Sequence, residues 1–170
     1  MKIYASFGQR IAAFMWDYLI IACYILVITG LFWLIRANEW FFTNRIQAQI
    51  SVFFFLTLPV ILYFSVLESS VQQATWGKHK MGLKVRDYNG NGISFLRSFV
   101  RTLLKFIPWE VSHTVIWQIS FFPQTNPLLI NFGFGVVYLI IGLNIASLLM
   151  TETHQTIYDL LVKTYVEKQN

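Results

Sequence analysis

IAAFMWDYLIIACYILVITGLFWLI, residues 11–35, is apolar almost throughout, and Asp17 is its one formally charged side chain. As a helix these 25 residues rise about 37 Å, more than the roughly 30 Å of hydrocarbon in a bilayer. The run is too long for a signal-peptide core and is followed by no small-residue cleavage site, so it predicts a retained transmembrane helix. Residues 50–67 and 128–150 read the same way, with Pro59 expected to kink the second span in a manner that neighbouring helices tolerate. Residues 106–122 are marginal for crossing, because they contain Pro108, Glu110, His113 and Gln118.

Composition agrees with a polytopic membrane protein. Of 170 residues, 56% are hydrophobic and 12% charged, which is more apolar surface than a soluble domain of this size can hide. The same figures exclude a disordered chain, and a single cysteine, Cys23, excludes a disulfide scaffold. The net charge of +5 is concentrated: Lys78, Lys80, Lys84, Arg86, Arg97, Arg101 and Lys105 all fall in the loop between the second and third apolar runs. Clustering of this kind marks a retained cytoplasmic loop, and with no basic helix-turn-helix or stacking platform beside it, it does not suggest nucleic acid.

With Lys2 and Arg10 holding the amino terminus inside, two crossings return the chain to the cytoplasm for the loop at 68–105. If 106–122 also crosses, the tail at 151–170 ends inside. If it lies in the interface, the chain has three spans and the tail ends outside. The four-span topology is preferred, giving an all-α transmembrane four-helix bundle with both termini cytoplasmic. Within the loop, residues 82–88 alternate like a strand, Asn89-Gly90-Asn91-Gly92 is a turn, and 93–95 is expected to return as the second strand of a small hairpin. Ser94 is expected to cap a helix that places Arg97, Arg101 and Lys105 on one face, lying along anionic headgroups.

Charged groups inside a bilayer are expensive and are therefore functional candidates. Asp17 leads them, two helical turns beyond Arg10 and roughly 10 Å deeper, so that each is expected to find a partner on another helix. Counting inward from the cytoplasmic ends puts Asp17, His113 and Asn144 in one layer, with Glu110 a turn nearer the cytoplasm. Glu110 and His113 have a spacing also used by metal ligands, but one such pair plus Asp17 is too few groups for a resident metal, and no cofactor is expected. Asp159 falls beyond the last span at the depth of Arg10, its natural partner. No nucleophile elbow appears, and Gly77-Lys78 lacks the upstream glycine of a phosphate loop, so no enzyme activity is expected.

Three segments carry a family resemblance. Phe7-Gly8-Gln9-Arg10-Ile11-Ala12-Ala13-Phe14-Met15-Trp16-Asp17 resembles the first helix of the RDD family, named for an arginine at the start of that helix and two aspartates. The stretch from Thr75 to Val85, with Gly77, Lys78 and Gly82, resembles its glycine-lysine loop, and Gln155 to Val166 resembles its closing motif, which often has a glycine where this chain carries Lys163. The resemblance implies that Arg10, Asp17 and Asp159 are the name-giving positions. It also implies a small bacterial membrane protein, suggested to transport ligands not yet settled. Two functions follow as expectations. One is a cation or proton-coupled exchanger that is a homo-oligomer, with Asp17 as the carboxylate binding a proton or monovalent cation, Glu110 or His113 as relay, and Arg10 with Asp159 as inner gate. The other is a non-transporting module that docks a partner through the basic loop, with its polar layer sealed and fully paired.

Overall fold

The computed structural model describes residues 4–169; Lys2, invoked above for orientation, lies outside them. The chain is mostly helical, with one small sheet. Among the described residues, three helices are long and apolar enough to cross a membrane: α1 (Phe7–Leu34), the rod Arg45–Ser69, and α7 (Pro127–Met150). A short α2 (Asn38–Phe41) links the first two, and α6 (Phe95–Phe121) packs along both the rod and α7.

The rod is built from α3 (Arg45–Val52), one π-helical turn (Phe53–Thr57) and α4 (Leu58–Ser69). Pro59 explains the widening. It has no N–H to give the Phe55 carbonyl four residues earlier, and the helix absorbs the loss as a wider turn. The released carbonyl accepts the Tyr24 hydroxyl of α1 at 2.5 Å, so the proline creates a tie between two helices.

On one end of the helices sits a cap made of α5 (Trp76–Lys80), β1 (Leu83–Asp87), α8 (Ile157–Leu161) and β2 (Thr164–Lys168). The strands run antiparallel, from Leu83 opposite Lys168 to Asp87 opposite Thr164. Tyr4 bridges Glu167, and the Ala5 N–H bonds the Val166 carbonyl at 2.9 Å, so the amino-terminal segment covers the other edge of β2. Leu83, Val85 and Val166 turn inward and pack with Ala5, Ala13 of α1 and Ile93. A second cluster, Ile21, Val60 and Phe64, joins α1 to α4 beneath the cap.

The expected hairpin is corrected here. The turn forms, with the Asp87 carboxylate accepting from the Asn89 and Asn91 N–H groups and Gly90 at φ 83°. Residues 93–95, however, do not return as a strand, because Ser94 caps α6 by accepting from the Arg97 N–H and takes the chain straight into helix. β1 pairs with the carboxyl-terminal segment instead. The basic face of α6 is also corrected: Arg101 is only 2% exposed and Lys105 half-buried, so the stripe turns into the protein and leaves Arg97 outside. That inward turn brings Arg101 to Glu68 and Asp159.

Between α8 and β2 the chain reverses at Lys163, whose φ of 56° lies in the left-handed region that favours glycine. Lys163→Gly should therefore stabilise the detergent-solubilised protein by about 0.5–1 kcal/mol, the relief of a left-handed side chain less the entropy that glycine loses on folding. A melting temperature equal to or below that of the wild type would contradict this backbone conformation.

Candidate functional site

Where the cap meets the helices, five side chains from five elements form an alternating row of charge. The Lys78 ammonium of α5 pairs with Glu68 Oε1 of α4, and Glu68 Oε2 accepts from Arg101 Nη1 of α6 at 2.6 Å. Arg101 Nε then donates to Asp159 Oδ1 of α8 at 2.7 Å, and Asp159 Oδ2 accepts from Arg10 Nη1 of α1 at 2.8 Å. Glu68 and Asp159 are fully buried. Local sequence helps set the geometry: Thr156 caps α8 in a reciprocal box with Asp159, a local contact that holds the carboxylate alongside the two arginines.

Asp17 forms a second latch beside the row. It is 1% exposed, and its two oxygens accept three hydrogen bonds: Tyr63 Oη at 2.8 Å, the Gly77 N–H at 2.7 Å and Thr75 Oγ1 at 2.6 Å. Thr75 is also the N-cap of α5, so one hydroxyl begins that helix and ties it to α1. The approach is close enough to require glycine at position 77. A Cβ there would lie 2.0 Å from the Ala13 carbonyl oxygen and 2.9 Å from Asp17 Cγ. Gly82 has a different reason for its identity, a φ of 62° in the turn from α5 into β1.

The expected polar layer divides into separate places. Asp17 and Asn144 line one cavity, but the Asn144 amide donates to the Ile140 carbonyl of its own helix at 2.9 Å. Glu110 and His113 lie elsewhere. Glu110 accepts from Thr57 and from Gln49 Nε2 at 3.0 Å, both on the π-widened rod, with His113 Nδ1 3.6 Å away. Sequence reasoning missed Glu68 and Arg101, the centre of the row. Glu68 was legible as the acid that ends an apolar run, and Arg101 as one member of a periodic basic stripe; the partner each meets comes from elements far apart in the chain.

Energetically the row is a buried network, so removing one member costs more than the pair gains, because a charge is left without its counter-ion. Burial alone would push the Asp159 carboxyl up, but the Arg101 and Arg10 guanidiniums beside it hold it well below the usual carboxylate range. A depressed carboxyl contributes its stability in full above the unfolded value near 4 and loses it as pH falls further. The melting temperature should thus hold between about pH 8 and pH 5 and drop below about pH 4, less steeply in Asp159→Asn. Arg10→Ala and Asp159→Ala should each destabilise the protein by about 3 kcal/mol or more, with the double mutant short of additive by at least about 1 kcal/mol. Strict additivity would mean that the two side chains do not interact.

The arrangement of a first-helix arginine and aspartate, a loop glycine and lysine packed on that aspartate and its neighbours, and a closing aspartate returning to the arginine can be compared with known proteins. No curated protein and no solved structure matches the chain. The family described as the RDD family matches over residues 4–163, which takes in α1, the whole loop and the closing Asp159. The protein belongs to the RDD family.

Proposed function

We propose that this chain is a four-span protein of the cytoplasmic membrane, both termini inside, that acts as a non-transporting module and presents its cap to a partner. Support for four crossings comes from the sheet. Tyr4, β1 and β2 are paired, which supports a reading with the amino-terminal segment, the loop and the tail on one side of the membrane. If α7 crosses, α6 has to cross as well, and Pro108 and Glu110 then lie inside a helix bundle where the rod supplies polar partners. The positive-inside rule assigns this end to the cytoplasm, because four of the seven loop cations (Lys78, Lys80, Lys84 and Arg86) lie in the cap and three in the adjoining first turns of α6.

The observation that carries the non-transporting reading is the triple hydrogen bonding of Asp17. An exchanger has to protonate its carboxylate once per cycle. Here Oδ1 already accepts two donors and Oδ2 one, so a proton is left only the remaining lone pair of Oδ2, and neutralising the carboxylate there would weaken the bonds that fasten α5 to α1. A carboxylate used in this way is a fastener. The cap it holds carries exposed Lys80 and Lys163, with exposed Arg97 at the start of α6, a basic surface suited to a partner with an acidic face.

Liposome flux and the melting of Asp17→Asn separate the two expectations. The substitution turns one acceptor into an amide donor facing a donor, so the mutant should lose about 2–4 kcal/mol of stability, and wild-type vesicles should show no cation-coupled proton movement. A mutant that melts like the wild type while abolishing a flux that the wild type carries would overturn this reading and restore the exchanger.

A further inference from the structure

The cavity that Asp17 and Asn144 share is not closed. It measures about 320 Å³, in the range of small-molecule sites, and lies among α1, α6 and α7. Helix α1 packs chiefly on α5, whereas α7 packs on α6, which leaves a cleft between α1 and α7. Two of its lining residues, Ile11 and Ile145, are 46% and 40% exposed, so the cavity opens between apolar side chains of α1 and α7. The walls are apolar and the floor is the charged row.

Two cations on that floor are left with bonding capacity. Arg10 gives Nη1 to Asp159, but its Nε and Nη2 are buried and have no hydrogen-bond partner among the described residues. Lys105 pairs with no carboxylate among the described residues; its ammonium lies over the Phe64 ring, 3.7 Å from the centroid. Around the floor, four cations (Arg10, Lys78, Arg101, Lys105) face three carboxylates (Asp17, Glu68, Asp159). The carboxylates are already committed, Asp17 to three donors and Asp159 to two guanidiniums. A buried donor without an acceptor, as at Arg10, is costly, and one more negative group could bond Arg10 and pair with the Lys105 ammonium.

We infer that the cleft between α1, α6 and α7 binds an anionic phospholipid of the inner leaflet, its phosphate oxygens taken by Arg10 and Lys105 and an acyl chain lying against Ile11 and Ile145. A phosphate fits because its oxygens are pure acceptors and guanidinium recognises them by paired hydrogen bonds. The lateral opening selects a lipid over a soluble anion, since an ion from the cytoplasm would have to leave the apolar rim uncovered. This site does not depend on the docking reading above: a lipid seated here would be retained whether or not the cap recruits a partner.

Native mass spectrometry of the full chain in detergent, titrated with dioleoylphosphatidylglycerol, dioleoylphosphatidylcholine or inorganic phosphate, tests the proposal. The wild type should retain the anionic lipid about tenfold better than the zwitterionic one. Lys105→Gln should lose about tenfold in that affinity, and Ile145→Trp, which fills the rim without touching a charge, should lose a similar factor. Lys163→Asn, which removes a cytoplasmic charge outside the cleft, should change nothing. Should Lys105→Gln fail to fold, Ile145→Trp still decides, because its site is an exposed rim. Unchanged lipid retention in Ile145→Trp, equal loss in Lys163→Asn, or displacement of the lipid by inorganic phosphate at equal concentration would each overturn the assignment.

Discussion

The guanidinium of Arg101 is the point on which the rest of the structure leans. It is 2% exposed and bonds two fully buried carboxylates, Glu68 and Asp159, which arrive from the end of a membrane rod and from a five-residue helix near the carboxyl terminus. A planar fork with donors on several sides suits this use, and a lysine at the position would hold one carboxylate and strand the other. Lys78 and Arg10 extend the row at either end, so α5, α4, α6, α8 and α1 are fixed relative to one another by one chain of charge. Buried ion networks add little net stability over a well-packed apolar core, but they admit few alternative arrangements. In a bundle of apolar helices that property has a use: apolar faces slide past one another easily, and a charged row at one end sets their register.

Asp17 acts on a smaller scale by the same logic. Its oxygens gather a phenol from α4, the N-cap hydroxyl of α5 and a backbone N–H of α5, and that backbone can come close only because position 77 is glycine. The aspartate at depth in α1 and the glycine sixty residues later are therefore one device. In this member of the RDD family, Arg10, Asp17 and Asp159 are residues that fasten the cap onto a helical bundle.

Much of this was legible in the sequence, and the boundary of legibility has physical causes. The apolar runs at 11–35, 50–67 and 128–150 appear as α1, part of the Arg45–Ser69 rod and α7, because hydrophobic length is a local property. The Ser94 cap and the turn at Asn89–Gly92 are local as well. Strand pairing is not: residues 82–88 announced a strand, but nothing near them reveals that the partner is 164–168, and the near candidate at 93–95 loses to a helix cap. The stripe of Arg97, Arg101 and Lys105 likewise fixes a shared face without saying whether that face meets headgroups or carboxylates. Depth counting along single helices did not anticipate that Glu110 would bond Gln49 and Thr57 of the rod, partners that only the packing of α6 on the rod brings to it.

If Arg101 joins cap and bundle, its removal should release the cap as a unit. Hydrogen exchange measured peptide by peptide on the wild type and Arg101→Leu reads this directly. Protection should fall together in β1, β2, α5 and α8, with α7 residues 128–140 unchanged. Loss of protection confined to the α6 residues flanking position 101, with the β1–β2 amides as slow as in the wild type, would contradict the account.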